Sequence, residues 1–130
     1  MATAGMALVA IPLLLPHQPG LDVERFPVDA AQHLDGDRVF HSDATGGYLI
    51  FSQWPDRLVY VDDRAELYQD QYVLYTDVAA GRRGWREELE RWEIDQALLE
   101  NDRPLAQVLI ASGWTVRFED ESFVVLDRTR

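Results

Sequence analysis

Short apolar runs alternate with helix-like segments along most of this chain, and this alternation limits its fold more than any other feature. Mainly apolar runs, which suit strands buried on both faces, occupy residues 38–41, 57–61 and 94–99. Buried strands that are separated by helices form parallel sheets with right-handed crossovers. The alternation therefore predicts an α/β fold with a mainly parallel sheet, flanking helices and Rossmann-like layering.

The C-terminal residues predict a different kind of pairing. Residues 114–119 and 122–127 have strand character, and Asp120 and Glu121 join them. Two strands with so short a connection form an antiparallel hairpin. A C-terminal β-hairpin should therefore add one antiparallel edge to the sheet.

Proline and glycine mark most of the predicted helix boundaries. A short helix is predicted at 26–34, with Gly36 after its end, and another begins at Pro104 and closes at Gly113. Helical spacing of apolar residues predicts two more helices, at 67–80 and 85–92, the first of which stops at Gly81.

The Gly46–Gly47 pair lies in a further predicted helix, which Ser42 or Asp43 would cap. This helix would carry Tyr48, Leu49 and Phe51 inward. Each glycine weakens a helix by about 1 kcal/mol relative to alanine, so a strand over residues 48–52 is the alternative.

Residues 1–16 carry no charge, and the first charged side chain is Asp22. A helix of about 16 residues spans ~24 Å, which is short of a ~30 Å hydrocarbon core. The segment fits the end of a transmembrane helix, a secretory signal that lacks its basic region, or an apolar arm packed on protein. We expect residues 1–21 to be the end of a transmembrane segment with its linker, and residues 22–130 to form a single soluble α/β domain.

Charge and cysteine content exclude several classes of partner and site. The formal net charge is −11 in 130 residues, and such a surface repels nucleic-acid phosphates and anionic lipid headgroups. The chain has no cysteine, so it has neither disulfides nor thiolate metal ligands. Because of its acidic charge, we expect no nucleic-acid partner for this chain.

An acidic segment follows the predicted strand at 57–61. Asp62, Asp63 and Glu66 lie where open α/β sheets usually place ligands, so they could hold Mg²⁺ or Ca²⁺, or supply a general base. Alternatively, Arg64 pairs with one of these carboxylates and fixes the loop. The second interpretation is favoured, and neither a metal site nor a catalytic residue is predicted.

Three other sets of residues allow a functional and a structural interpretation. Gly46 and Gly47 could admit a phosphate or allow close packing of their helix. The residues His33, Asp35, Asp37 and His41 are possible zinc ligands, but they cross from a turn into a strand and are expected to diverge. A set of aromatic residues could stack on sugars, lie at a membrane surface or pack on the sheet; its members are Tyr68, Tyr72, Tyr75, Trp85 and Trp92.

The order of four segments resembles a known family. The runs DATGGYLIF, LVYVDDRAELY, GWREELERWEIDQALLE and PLAQVLIASGWTVRFEDESFVVL are similar to the C-terminal soluble domain of bacterial polytopic membrane proteins of the glycosyltransferase C (GT-C) type, the dolichyl-phosphate-mannose–protein mannosyltransferase-like group. The pattern residues are Gly46, Gly47, Tyr48, Asp62, Arg64 and Glu66, none with an assigned role. Asp63 departs from the family, which more often has glycine there.

The resemblance implies a location and a role. The domain would lie on the extracytoplasmic face of the bacterial cell membrane, attached through its apolar N-terminal segment, while the sugar-transfer acids of such proteins lie on membrane loops outside this chain. We therefore expect a non-catalytic accessory domain without a cofactor, which helps to position a polyprenyl-linked sugar or polymer or stabilises the parent protein. The alternatives are a free-standing metal-dependent enzyme using Asp62, Asp63 and Glu66, and a small-molecule or carbohydrate-binding module.

Overall fold

A computed structural model describes residues 25–62 and 69–129 of the chain. Their strands form a four-stranded sheet with the spatial order β1-β2-β4-β3. The strands are β1 (Val39–His41), β2 (Gln96–Glu100), β3 (Thr115–Glu119) and β4 (Phe123–Asp127). The fold is mixed α/β, as the alternation of apolar runs and helices predicts.

The sheet is not mainly parallel, which corrects the prediction from sequence. β1 and β2 are parallel, but β2 pairs with β4, and β4 with β3, in antiparallel fashion. The C-terminal hairpin is confirmed, with an irregularity between Val116 and Phe118. It contributes a central strand as well as an edge strand, because β4 lies directly beside β2. The Rossmann-like layering expected with a parallel sheet is not confirmed.

The predicted strand at 57–61 does not join the sheet of the described residues. Its Tyr60 backbone N–H donates a hydrogen bond of 2.9 Å to the imidazole Nε2 of His41. In a β-ladder, that N–H would bond to a backbone carbonyl of the neighbouring strand. A side chain therefore serves as the acceptor, which an apolar run in the sequence does not indicate.

Helices lie where most of the boundary residues predict them. A 3₁₀ helix, Ala30–His33, occupies part of the predicted helix at 26–34. The α-helices are α1 (Asp43–Gln53), α2 (Gln69–Ala79), α3 (Trp85–Arg91) and α4 (Pro104–Ala111). Gly81 and Gly113 follow α2 and α4 with φ of 63° and 94°, a left-handed conformation that glycine adopts without strain.

Successive strand residues point to opposite faces, and each face has its own apolar core. On one face Phe40 and Leu99 pack with residues of α2, α3 and α4, such as Leu105. On the other face Val39 and Leu98 pack with the 3₁₀ helix and with α1. The strand ends, where the connecting loops meet, are thus held between two packed layers.

Two predictions about apolar segments have different outcomes. Leu49 is buried as predicted, but Phe51 is 79% exposed, so the prediction that Phe51 points inward is wrong. None of the helices within residues 25–62 and 69–129 is both long and apolar enough to cross a bilayer. The predicted membrane segment at 1–21 lies outside the described residues.

Candidate functional site

Polar side chains from distant parts of the chain meet where β1 and β2 end. Ser42 and Asp43 directly follow β1, Glu100 is the last residue of β2, and Arg103 precedes α4. Because β1 and β2 are parallel, their carboxyl ends lie at the same edge, where open α/β sheets commonly bind ligands. This cluster is the best-defined candidate site of the described residues.

The Asp43 carboxylate is the centre of the cluster. Its Oδ2 accepts a hydrogen bond of 2.7 Å from the Tyr72 hydroxyl, and its Oδ1 accepts one of 3.0 Å from the Tyr75 hydroxyl. The Tyr75 oxygen also accepts the backbone N–H of Asp43 at 2.9 Å. Burial acts to raise the pKa of Asp43, but the hydrogen bonds from the two tyrosines and the Ala44 N–H, together with the charge of Arg103, hold this pKa below its usual value.

Glu100 connects the ends of the two strands. Its Oε1 accepts a hydrogen bond of 2.8 Å from the Ser42 hydroxyl, and its Oε2 accepts one of 2.8 Å from Nε of Arg103. Nη2 of Arg103 lies 3.8 Å from Oδ1 of Asp43. The hydrogen bond to Glu100 raises the pKa of Arg103, so one permanent positive charge lies between two carboxylates.

A small cleft of about 210 Å³ opens beside this cluster, with Asp43, Tyr72, Tyr75 and Arg103 among its lining residues. This is less than the roughly 300–1,000 Å³ that is usual for small-molecule sites. The Asp43 carboxylate and the two tyrosine hydroxyls already bond to one another. The arrangement can therefore admit a small polar group, but its main effect is to join α1, α2 and the start of α4.

His41 is a structural histidine at the end of β1. Its Nε2 accepts the Tyr60 N–H, so Nδ1 carries the proton and donates a bond of 2.8 Å to the Ser42 carbonyl. Burial lowers the pKa of His41 to about 4, although the Ser42 carbonyl and nearby carboxylates, such as that of Asp62, favour the protonated form. A neutral imidazole with both nitrogens engaged is not available to bind a metal ion.

The residues predicted from the sequence have separate environments. Gly46 is buried against the chain at Val61, and a Cβ atom added to Gly46 would overlap the Val61 carbonyl oxygen. Asp62, which follows, is only 1% exposed. Gly47 is exposed with open space around it, and Tyr48 stacks on Phe26 at 6.0 Å between ring centroids. The close-packing interpretation therefore describes Gly46 and not Gly47.

Arg64 and Glu66, as well as Asp63, lie outside the described residues. The pairing of Arg64 with a carboxylate therefore stays a prediction, and the metal site at Asp62, Asp63 and Glu66 stays its alternative. In the part of the chain that the structure describes, no group of three or more His, Asp or Glu side chains is placed to hold a metal ion.

The other possible zinc ligands diverge. His33 stacks on Phe118 at 4.2 Å between ring centroids, and Asp35 forms an ion pair of 2.7 Å with Arg117. His41, in contrast, is buried beside the backbone of Tyr60. The side chains of His33, Asp35 and His41 thus make separate contacts in different parts of the fold.

The aromatic set is also divided. Tyr75 lies in the core, and Tyr72 and Trp85 pack against it, whereas Tyr68 lies outside the described residues. Trp92 lines a larger cleft of about 500 Å³ beside β1. The buried Glu88 accepts hydrogen bonds from the Trp92 indole at 2.6 Å and from the Tyr60 hydroxyl at 2.9 Å. Sheet packing therefore accounts for most of these rings.

The sequence does not indicate the cluster of Ser42, Asp43, Glu100 and Arg103, because its two halves are separated by more than fifty residues. One signal could have indicated it. Tyr72 and Tyr75 are three residues apart on one helix face, and Asp43 follows a buried strand. Tyrosines that pack on a sheet need a partner for their hydroxyls, and a carboxylate at a strand end is a suitable one.

Comparison of the chain with models of protein families, with curated proteins and with solved structures finds no match. The likeness to GT-C proteins therefore depends on the order of sequence segments described above.

Proposed function

We propose that this chain is a non-catalytic accessory domain of a GT-C-like membrane protein, located on the extracytoplasmic face of the bacterial cell membrane. The observation that carries the proposal is the contact between Gly46 and residues 61–62. Two separate segments of the resemblance, the Gly-Gly-Tyr run and the start of the Asp-Asp-Arg run, meet at this contact. Two sequence segments of a shared pattern are expected to meet in this way when together they form a structural element of a domain family.

The chemistry of the candidate cluster supports a non-catalytic role. The Asp43 carboxylate accepts hydrogen bonds from two tyrosine hydroxyls and lies beside Arg103, which keeps it ionised and engaged. A general acid or base needs a pKa near the working pH, and the pKa of Asp43 is shifted away from neutrality. The cluster thus acts as a brace between secondary-structure elements.

In this proposal the chemistry of sugar transfer belongs to membrane loops outside the chain. The domain stabilises the membrane part or positions a polyprenyl-linked or polymeric substrate beside it. The uncharged segment 1–16 provides the attachment to the membrane.

The test is the size and location of the native protein in its source cells, detected with an antibody against residues 22–130. We expect a band several times larger than 14.9 kDa that stays in the membrane fraction after an alkaline wash. Protease added to spheroplasts should remove the epitope, whereas a cytoplasmic marker stays intact. A band near 15 kDa in the soluble fraction would contradict the proposal.

The cleft beside Asp43 supports a second candidate, the binding of a small hydroxylated ligand such as a sugar. Tyr72 and Arg103 are among the residues that line this cleft, and the side chains of both carry hydrogen-bonding groups. A panel of monosaccharides should then raise the melting temperature of the chain, and Tyr72→Phe should reduce the effect. If no sugar changes the melting temperature, this candidate is excluded.

A further inference from the structure

Three large apolar side chains are exposed close together in sequence, at the end of α1 and in the loop that follows. Phe51 is 79% exposed, Trp54 64% and Leu58 71%. We call these three residues the α1 patch. Phe51 lies in the last turn of α1, and Trp54 directly follows the last residue of this helix. Leu58 also borders the larger cleft, together with Trp92.

Hydrogen bonds hold the α1 patch in this exposed position. The Gln53 side-chain amide donates a bond of 2.8 Å to the Ala31 carbonyl. The Arg57 guanidinium donates to the carbonyls of Leu34, at 3.1 Å, and Gly36, and to the Gln53 side chain at 2.8 Å. The segment that carries the patch is therefore fastened to the region of the 3₁₀ helix.

The start of the described chain packs beside α1. Phe26 stacks on Tyr48, which is one helical turn before Phe51. Only nine residues, 17–25, separate Phe26 from the uncharged residues 1–16. Nine residues extend at most about 30 Å, so an N-terminal segment in a bilayer keeps α1 near the membrane surface.

We propose that the α1 patch contacts the interfacial layer of a lipid bilayer with zwitterionic headgroups. Tryptophan and phenylalanine favour this layer, where apolar rings meet both acyl chains and water. The net charge of −11 makes anionic lipids a poor match. Three side chains are few compared with the roughly 20–30 residues that a stable protein interface uses on each side, so lipid is a better match than a protein partner. The inference rests on the proposed membrane attachment.

Because the chain has no cysteine, single cysteines can be labelled cleanly with an environment-sensitive fluorophore. The labelled variants are Phe51→Cys in the patch, Leu13→Cys in the apolar segment and, as a matched control, Val116→Cys on β3. Val116 is also exposed, at 47%, but it lies on the strand at the other edge of the sheet from β1. Trp54→Cys is a second patch position, for the case that Phe51→Cys disturbs folding.

On adding phosphatidylcholine vesicles to the full chain, we expect blue-shifted emission and quenching by spin-labelled lipid at positions 13 and 51, and no change at 116. Vesicles rich in phosphatidylglycerol at low salt should give a smaller response at 51. If the label at position 13 responds to the vesicles but the labels at 51 and 54 behave like the control at 116, the inference is overturned. The proposed membrane attachment then still stands. Silence at 13, 51 and 54 would contradict both. A lipid-independent shift at 51 that grows with protein concentration would assign the patch to a second copy of the chain and also overturn the inference.

Discussion

Gly46 of α1 packs so closely on the backbone after Tyr60 that a Cβ atom at this position would overlap the Val61 carbonyl oxygen and lie 2.9 Å from Cα of Asp62. The neighbouring Gly47 has open space on its side-chain face. The two glycines of one pair therefore have opposite tolerances for substitution.

We expect Gly46→Ala to lower the free energy of unfolding by about 1–3 kcal/mol, because the new methyl group must push the Val61 backbone away. Gly47→Ala is the matched control. It should raise the free energy of unfolding by up to ~1 kcal/mol, because alanine favours the helix and meets nothing there. Urea midpoints of the two variants measure both effects. Equal midpoints would show that the contact is looser than described.

The buried imidazole of His41 should make stability depend on pH. Its pKa is about 4 in the folded state and ~6.5 in the unfolded chain, so between these values the unfolded state binds more protons. Stability is then complete above about pH 6.5 and falls as the pH drops towards 4, by up to ~3 kcal/mol. Urea unfolding between pH 7.5 and 4.5 measures this decline. The His41→Gln variant should lose clearly less unfolding free energy over this pH range. If it loses as much as the wild-type protein, other groups cause the pH dependence.

Asp43 should add a second pH dependence at lower pH. Burial raises its pKa, but the hydrogen bonds it accepts and the charge of Arg103 lower the pKa overall, so its contribution is present above about pH 4 and is lost as the pH falls further. We expect wild-type protein to lose more stability than Asp43→Asn between pH 4.5 and 2.5, as measured by urea unfolding. Parallel curves would contradict the described hydrogen bonds.

Arg57 should contribute more to stability than an exposed arginine. It donates to two backbone carbonyls, of Leu34 and Gly36, so Arg57→Ala should lower the free energy of unfolding by about 2 kcal/mol. Arg82→Ala is the control, because Arg82 forms an exposed ion pair with Asp77 and its loss should cost less than ~1 kcal/mol. Thermal and urea unfolding measure the difference, and equal losses would count against the bracing role of Arg57.

The acidic segment at Asp62 offers a direct test of the metal-dependent alternative. We expect millimolar Mg²⁺, Mn²⁺ or Ca²⁺ to leave the melting temperature unchanged. A cation bound at 100 times its Kd would add about 2.7 kcal/mol of stability, which corresponds to several degrees. Such an increase, absent in a variant with Asp62, Asp63 and Glu66 changed to their amides, would favour the enzyme.

Local signals in the sequence predict the elements with strong boundaries. Pro104 and Gly113 enclose α4, and the acidic turn at Asp120 defines the hairpin, because both depend on backbone preferences of a few residues. Strand order depends on long-range packing, and nothing in the hairpin itself indicates that β4 would insert next to β2.

The same limit applies to the candidate site. Glycine packing at residues 46–47 could be proposed from the sequence, because close approach is a common reason for glycine in a helix. Which of the two glycines makes the contact depends on the position of Val61 in space. The network around Asp43 depends likewise on the meeting of β1, α2 and β2, and its partners in sequence are too distant to form a recognisable pattern.

The two edges of the sheet affect how readily this chain aggregates at high protein concentration. β1 has only three residues, and the segment beside it is attached through an imidazole instead of a ladder. At the opposite edge, the register of β3 shifts around the charged Arg117. Short, irregular or charged edges are poor templates for strands of other molecules. Both edges thus resist the edge-to-edge growth by which exposed sheets form aggregates.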